Sequence, residues 1–159
     1  LISAAKDVFD KYPDWHLNIF GEGELKDALQ SQIQTLGLQR NIFLKGYTDN
    51  INGEFAKSAF FVLSSRYEGF PMVLVEAMQY GCVPFAFDSF PSLYDIINDG
   101  INGVIVPAFD EDSYAKKVMS YLSQPIEKMS IISANAIRKS QTFDINAIGG
   151  RWIELFEKP

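Results

Sequence analysis

The sequence predicts an α/β fold: a Rossmann-like, doubly wound parallel sheet with helices on both faces. Three observations predict it. Short apolar runs rich in β-branched and aromatic residues recur along the chain, at 15–20, 41–45, 59–63, 83–87 and 103–106. Stretches with helical spacing separate most of these runs, and glycine, proline or Asn/Asp-Gly turns punctuate them. Strands that alternate with helices pair in parallel, because each return to the sheet needs a long crossover.

The first helix opens at once: Leu1, Ile2, Ala5, Val8 and Phe9 recur at helical spacing, and Pro13 and Asp14 end it. With no initiating Met and no cap, that start reads as a fragment cut from a longer protein. Trp15–Phe20 alternates as a strand, placing His16 and Asn18 opposite Trp15, Leu17 and Ile19. His16, the sole histidine, has no carboxylate or nucleophile beside it in sequence and reads as structural. Gly21-Glu22-Gly23 turns the chain at that strand's carboxyl end, where open α/β sheets bind ligands. Gly21 and Gly23 allow close backbone approach there, although an ordinary tight turn uses the same residues.

Glu24 to Leu36 is the next helix, with Leu25, Leu29, Ile33 and Leu36 on one stripe and Gly37 as terminator. Strand 41–45 follows, then the loop Gly46-Tyr47-Thr48-Asp49, a short helical connector at 54–58, and the apolar run Ala59–Leu63, read as a buried strand. After Phe87 a loop, 88–92, leads to a short helix at 93–98. Asp99-Gly100 and Asn102-Gly103 are turns before strand 103–106, which Pro107 stops. Asp110 caps a helix to about Ser123, Pro125 opens one to about Lys139, and Asp144 starts the last. That last segment carries Ile145, Ile148, Trp152, Ile153, Leu155 and Phe156, with a kink expected at Gly149-Gly150 and local core packing expected for the two rings.

Composition bounds the function. At 159 residues, 47% hydrophobic and 14% aromatic, the chain is expected to be one globular domain spanning 1–159. No apolar run approaches the ~20 residues that cross a bilayer. A net charge of −6 argues against a duplex nucleic-acid binder, yet an acidic domain still holds an anionic nucleotide where local N–H groups supply the field. Cys82 is the only cysteine, which excludes an internal disulfide and a thiolate metal cluster; a buried structural thiol is expected.

The segment Ser64–Met78 carries the chemistry. A strand leads through a glycine-containing turn into a helix opened by Pro71 and closed by Gly81. Such a helix start binds anions because its first N–H groups lack intrahelical partners, here those of Met72, Val73 and Leu74. Glu68 precedes Pro71 and Glu76 follows it, the latter roughly 7–8 Å along the helix. A diphosphate on those amides would have one carboxylate on each side. That suits a nucleotide sugar, with ribose toward Glu76 and donor sugar toward Glu68, since a carboxylate accepts from two neighbouring hydroxyls. Either Glu could instead only complement the helix dipole, worth about 0.3–1 kcal/mol. Arg66 reads as reaching a phosphate or as a plain loop side chain, and Tyr67 and Phe70 are expected to wedge the loop against the core.

Glu68 and Glu76, with seven residues between them inside EGFPMVLVEAMQYGCVP, resemble the E-x7-E motif of retaining GT-B glycosyltransferases of family 4, the group 1 glycosyl transferases. Gly21-Glu22-Gly23, Phe43–Tyr47 and Ile97–Pro107 are similar to further landmarks of that family in the same order, so the resemblance covers nearly the whole chain. Phe90 and Asp95 stand where many relatives have Gly and Glu, and the match is looser there.

The resemblance implies the C-terminal, donor-binding half of a GT-B fold, in a protein that moves a hexose-type sugar from a nucleoside diphosphate to an acceptor with retention. It implies a role for Glu68 at the reacting centre and donor contacts at Glu76, Gly21, Gly23, Gly69, Phe70, Pro71, Met72, Val73 and Leu74. Tyr47 would lie near the base, stacked on it or buried as a loop anchor. No metal or other cofactor is implied, because amides and basic side chains meet the diphosphate. An N-terminal domain would hold a glycan or lipid acceptor, in the cytoplasm or at the inner face of a membrane, and Trp152 and Phe156 on the last helix would contact that domain where they do not pack in the local core. The family's Arg and Lys for the diphosphate precede Leu1, so this chain by itself is expected to bind donor at about 10⁻⁴ M or weaker and not to catalyse transfer.

Rival classes remain: a non-catalytic nucleotide-sugar-binding module, or a GT-B-fold epimerase. A phosphorylase would need a Schiff-base Lys in a fitting position, which the chain lacks. A dinucleotide oxidoreductase is disfavoured because the only GxG lacks the third glycine of its fingerprint.

Overall fold

The computed structural model describes residues 1–157. The elements in chain order are α1 (Ile2–Lys11), β1 (Leu17–Phe20), α2 (Lys26–Thr35), β2 (Ile42–Gly46), α3 (Ile51–Phe55), β3 (Phe60–Leu63), α4 (Met72–Gln79), β4 (Val83–Phe87), α5 (Leu93–Ile96), β5 (Val104–Val106), α6 (Glu111–Leu122), α7 (Ile126–Gln141) and α8 (Ile145–Phe156). Every strand pairing is parallel, as the alternation of strands and helices requires. The fold is α/β and Rossmann-like. The chain forms two compact units, Leu1–Ile51 with Asp110–Ser123, and Asn52–Phe109 with Gln124 onward.

In the first unit β1 and β2 pair with Leu17 opposite Ile42 and Ile19 opposite Leu44. Ile2, Ala5 and Phe9 of α1 pack with Ile33 of α2, Leu38 and Ile42. α6 lies along α1, and the Tyr12 hydroxyl donates to the Met119 carbonyl at 3.4 Å. Asp110 caps α6 as the sequence indicates, accepting from the Ser113 amide at 2.9 Å and its hydroxyl at 2.6 Å. Those two bonds hold the Asp110 carboxyl below its ordinary range. Leu25 departs from expectation: it precedes the first turn of α2 and is 69% exposed, so the buried stripe begins at Leu29.

In the second unit the strand order is β3-β4-β5. β4 is the middle strand and all five of its residues are buried. Pro84 is tolerated there for a specific reason. The Val83 amide donates toward β3, to the Ala59 carbonyl at 3.0 Å, and amide directions alternate along a strand, so Pro84's missing donor faces β5. The β4–β5 ladder starts one residue later, at Phe85–Val104, and no bond is lost. β3 was expected to be buried; it is half-buried throughout, with β4 as its partner in this sheet.

α4 packs on β3, β4 and α7. Leu74, Val75 and Met78 of α4 share one core with Ala86, Phe90, Leu93, Ile96, Ile97, Ile105 and Ala136. Burying one such Leu or Ile side chain contributes about 1.5–3 kcal/mol. Cys82 is the expected structural thiol: buried, donating to the Phe55 and Ser58 carbonyls at 3.2 and 3.3 Å, with burial pushing its pKa up to about 11.

α8 differs from expectation in two ways. It runs unbroken through Gly149-Gly150, and none of its residues is buried. Trp152 and Phe156, one turn apart, stack on each other with centroids 5.9 Å apart instead of entering a core. Among the described residues no helix is long and apolar enough to cross a membrane.

Candidate functional site

The Glu68 segment leaves β3 at Leu63 and reaches α4 without regular structure of its own. Pro71 was expected as the first helical residue; it is instead the N-cap, with φ −76° and ψ 85°. The ring locks φ only, and at the cap ψ is free to lie outside the helical range. No side chain caps this helix start. Of the three amides expected to be open, two are occupied by tight local turns. Met72 N–H donates to the Phe70 carbonyl at 2.9 Å and Leu74 N–H to the Pro71 carbonyl at 3.0 Å. Val73 N–H keeps no carbonyl partner among the described residues.

On α4, Leu74, Val75, Ala77 and Met78 face the core, while Met72, Glu76 and Gln79 form the exposed stripe. Glu76 thus lies one turn beyond Met72 on the same face. Helical side chains lean toward the N-terminus, so its carboxylate is carried back over the first turn. Glu68 is half-buried before the helix start, and neither glutamate has a hydrogen-bond or ion-pair partner among the described residues. A Cβ at Gly69 would meet nothing within 4 Å, so the space beside this backbone is open. Neither ring expected to wedge the loop is buried: Phe70 is 41% exposed, its ring 5.6 Å from that of the half-buried Phe143, and Tyr67 is 78% exposed, turned outward with Arg66.

The loop after β4 meets this segment, which the sequence does not reveal. Ser89 Oγ donates to the Ser65 carbonyl at 2.8 Å and Ser92 Oγ to the Gly69 carbonyl at 2.7 Å. Tyr94 donates to Asp88 at 2.7 Å, and that hydrogen bond raises the Tyr94 pKa. The only sequence signal was a pair of serines flanking Phe90-Pro91.

In the first unit the turns after β1 and β2 come together. Gly21, at φ +132°, donates its N–H to the Gly46 carbonyl at 2.8 Å, a conformation that needs glycine. Gly21, Glu22, Gly23 and Gly46 edge a cleft of about 520 Å³ floored by Ile19, Leu29 and Leu44. Tyr47 is 76% exposed, which overturns its reading as a buried anchor and leaves the ring face open. His16 is exposed, and its ring meets that of Phe43 in a T-shaped contact with centroids 5.6 Å apart. Among the described residues no group of three or more His, Cys, Asp or Glu converges as a metal site.

A family model described as glycosyl transferases group 1 matches residues 1–139. The chain is 31% identical over 121 residues to a poly(glycerol-phosphate) α-glucosyltransferase of Bacillus subtilis, covering 76% of this chain and 18% of that protein. It is 31% identical over 159 residues to a poly(ribitol-phosphate) α-N-acetylglucosaminyltransferase of Staphylococcus aureus, covering 98% of this chain and 32% of the relative. A variant of S. aureus TarM, solved with fondaparinux, α-GlcNAc-glycerol and UDP, superposes with a TM-score of 0.87 at 27% identity, covering 99% of this chain and 32% of that one. The chain therefore spans a third or less of these proteins' length.

Proposed function

This chain belongs to the group 1 glycosyl transferases, and on that premise we propose that it holds the nucleoside diphosphate sugar for a glycosyltransferase. The observation that carries the reading is the start of α4: uncapped, with the Val73 N–H open and an unpaired carboxylate on either side. The diphosphate accepts from Val73 and, by exchanging the two tight-turn bonds, from Met72 and Leu74. Glu76 accepts from the ribose hydroxyls. Glu68 accepts from hydroxyls of the donor sugar beside the reacting carbon.

When the bond to the sugar breaks, negative charge grows on the leaving diphosphate. The positive end of α4 faces it, in the place where such a dipole stabilises an anion. The field comes from main-chain donors, so the proposal assigns no metal to the step; transfer by the whole protein is expected to survive EDTA. The names of the two relatives, both α-glycosyltransferases, support transfer with retention, and UDP in the TarM structure supports a nucleoside diphosphate donor. The acceptor is assigned to another part of the whole protein.

A titration with UDP, GDP and ADP tests the reading. At least one is expected to saturate the chain at about 10⁻⁴ M or somewhat weaker. No saturation by any of them up to about 10⁻² M overturns it.

A further inference from the structure

Glu68 sits on a segment with no regular structure, yet that segment is tied near both ends. Ser89 holds the Ser65 carbonyl and Ser92 holds the Gly69 carbonyl, so the two bonds bracket Glu68. Both serines are themselves immobilised. Phe90, between them, is 4% exposed, and Leu93, beside Ser92, is fully buried. These two side chains share the core with Leu74, Val75 and Met78, on the helix that carries Glu76. Loop 88–92 therefore ties the Glu68 turn to the same core as α4.

Ser92 precedes α5 with helical backbone angles, φ −65° and ψ −9°, so its side chain makes no cap bond to that helix and its hydroxyl donates across the loop to Gly69. An untethered turn would lose backbone freedom whenever a ligand ordered it, and that loss would weaken binding.

We propose that Ser89 and Ser92 are positioning residues, whose hydroxyls clamp the Ser65–Gly69 turn and preset the Glu68 carboxylate toward the donor sugar. The inference rests on the donor-site reading above. It concerns the sugar's share of the binding, not the diphosphate's.

The test has two arms, using the unsubstituted chain, the double variant Ser89→Ala with Ser92→Ala, and Ser92→Thr, which keeps the hydroxyl. Without ligand, the backbone ¹⁵N order parameters at residues 66–70 are expected to drop below about 0.6 in the double variant and to stay near the parent's in Ser92→Thr. Residues 74–78 should stay at about 0.85 in all three, showing an intact core. With ligand, the affinity ratio of UDP-glucose or UDP-N-acetylglucosamine to UDP is expected to fall about tenfold in the double variant, while UDP alone changes less than about twofold. Unchanged order parameters at 66–70, or lower ones with an unchanged ratio, overturn the proposal while the donor site stands. No UDP binding by the unsubstituted chain, or no difference between UDP and either UDP-sugar, overturns the donor-site reading and this inference with it.

Discussion

Ser133 on α7 donates a 2.7 Å hydrogen bond to the carbonyl of Gly81, the residue that closes the helix carrying Glu76. Gly81 lies at φ +81°, and a Cβ there would come within 2.8 Å of Ser133 Oγ and 3.5 Å of Ile137 Cδ1. Both the backbone conformation and the close approach therefore demand glycine. Gly81→Ala is expected to destabilise the fold by about 1–3 kcal/mol, read as a lower urea midpoint with little change in slope. A cost below about 0.5 kcal/mol would mean that α7 yields freely and does not fix the end of α4.

Glu76 is exposed and contributes no ion pair among the described residues, so its removal should leave the fold unchanged. Its loss should be felt in binding. Glu76→Ala is expected to weaken nucleoside diphosphate affinity by about 1.5–3 kcal/mol, the range for hydrogen bonds to a charged group. The 2′,3′-dideoxy nucleotide should lose a similar amount with the parent chain and little further with the variant. Equal losses in both proteins would place the ribose elsewhere.

The Cys82 thiol is pushed up from an ordinary 9.0 to about 11 by burial, and this has a pH signature. Above pH 9 the unfolded thiol ionises while the folded one stays protonated, so the unfolded state binds fewer protons and stability falls as pH rises toward 11. Cys82→Ser retains a donor for the Phe55 and Ser58 carbonyls and has no proton to lose in that range. The parent should therefore lose stability more steeply than Cys82→Ser across that window. Iodoacetamide at about pH 8 should leave the native thiol intact and label it after denaturation.

Elements and caps were legible because their signals are local. Asp110 and Asp144 lie next to the helices they cap, and the glycines at 37 and 81 end helices by their own conformation. What was illegible depends on neighbours. Periodicity shows that Leu25 and Trp152 share faces with other apolar residues, but not whether anything covers those faces; both are exposed. An apolar run such as Phe60–Leu63 reads the same in any sheet position, and only pairing reveals it as half-buried. The two glutamates were visible as a spacing. The clamp beneath Glu68 was not, since Ser89 and Ser92 act on carbonyls 24 and 23 residues away. Nor could the sequence show that Phe70 and Pro71 already accept from two of the three amides at the start of α4.

The most direct measurement is an amide chemical-shift titration of the chain with UDP, following Val73 in particular. Shifts that saturate together at Gly69, Met72, Val73 and Leu74, and that shrink in Glu76→Ala, are the result expected if α4 holds the diphosphate. Saturating shifts elsewhere, with residues 68–76 unmoved, would contradict it.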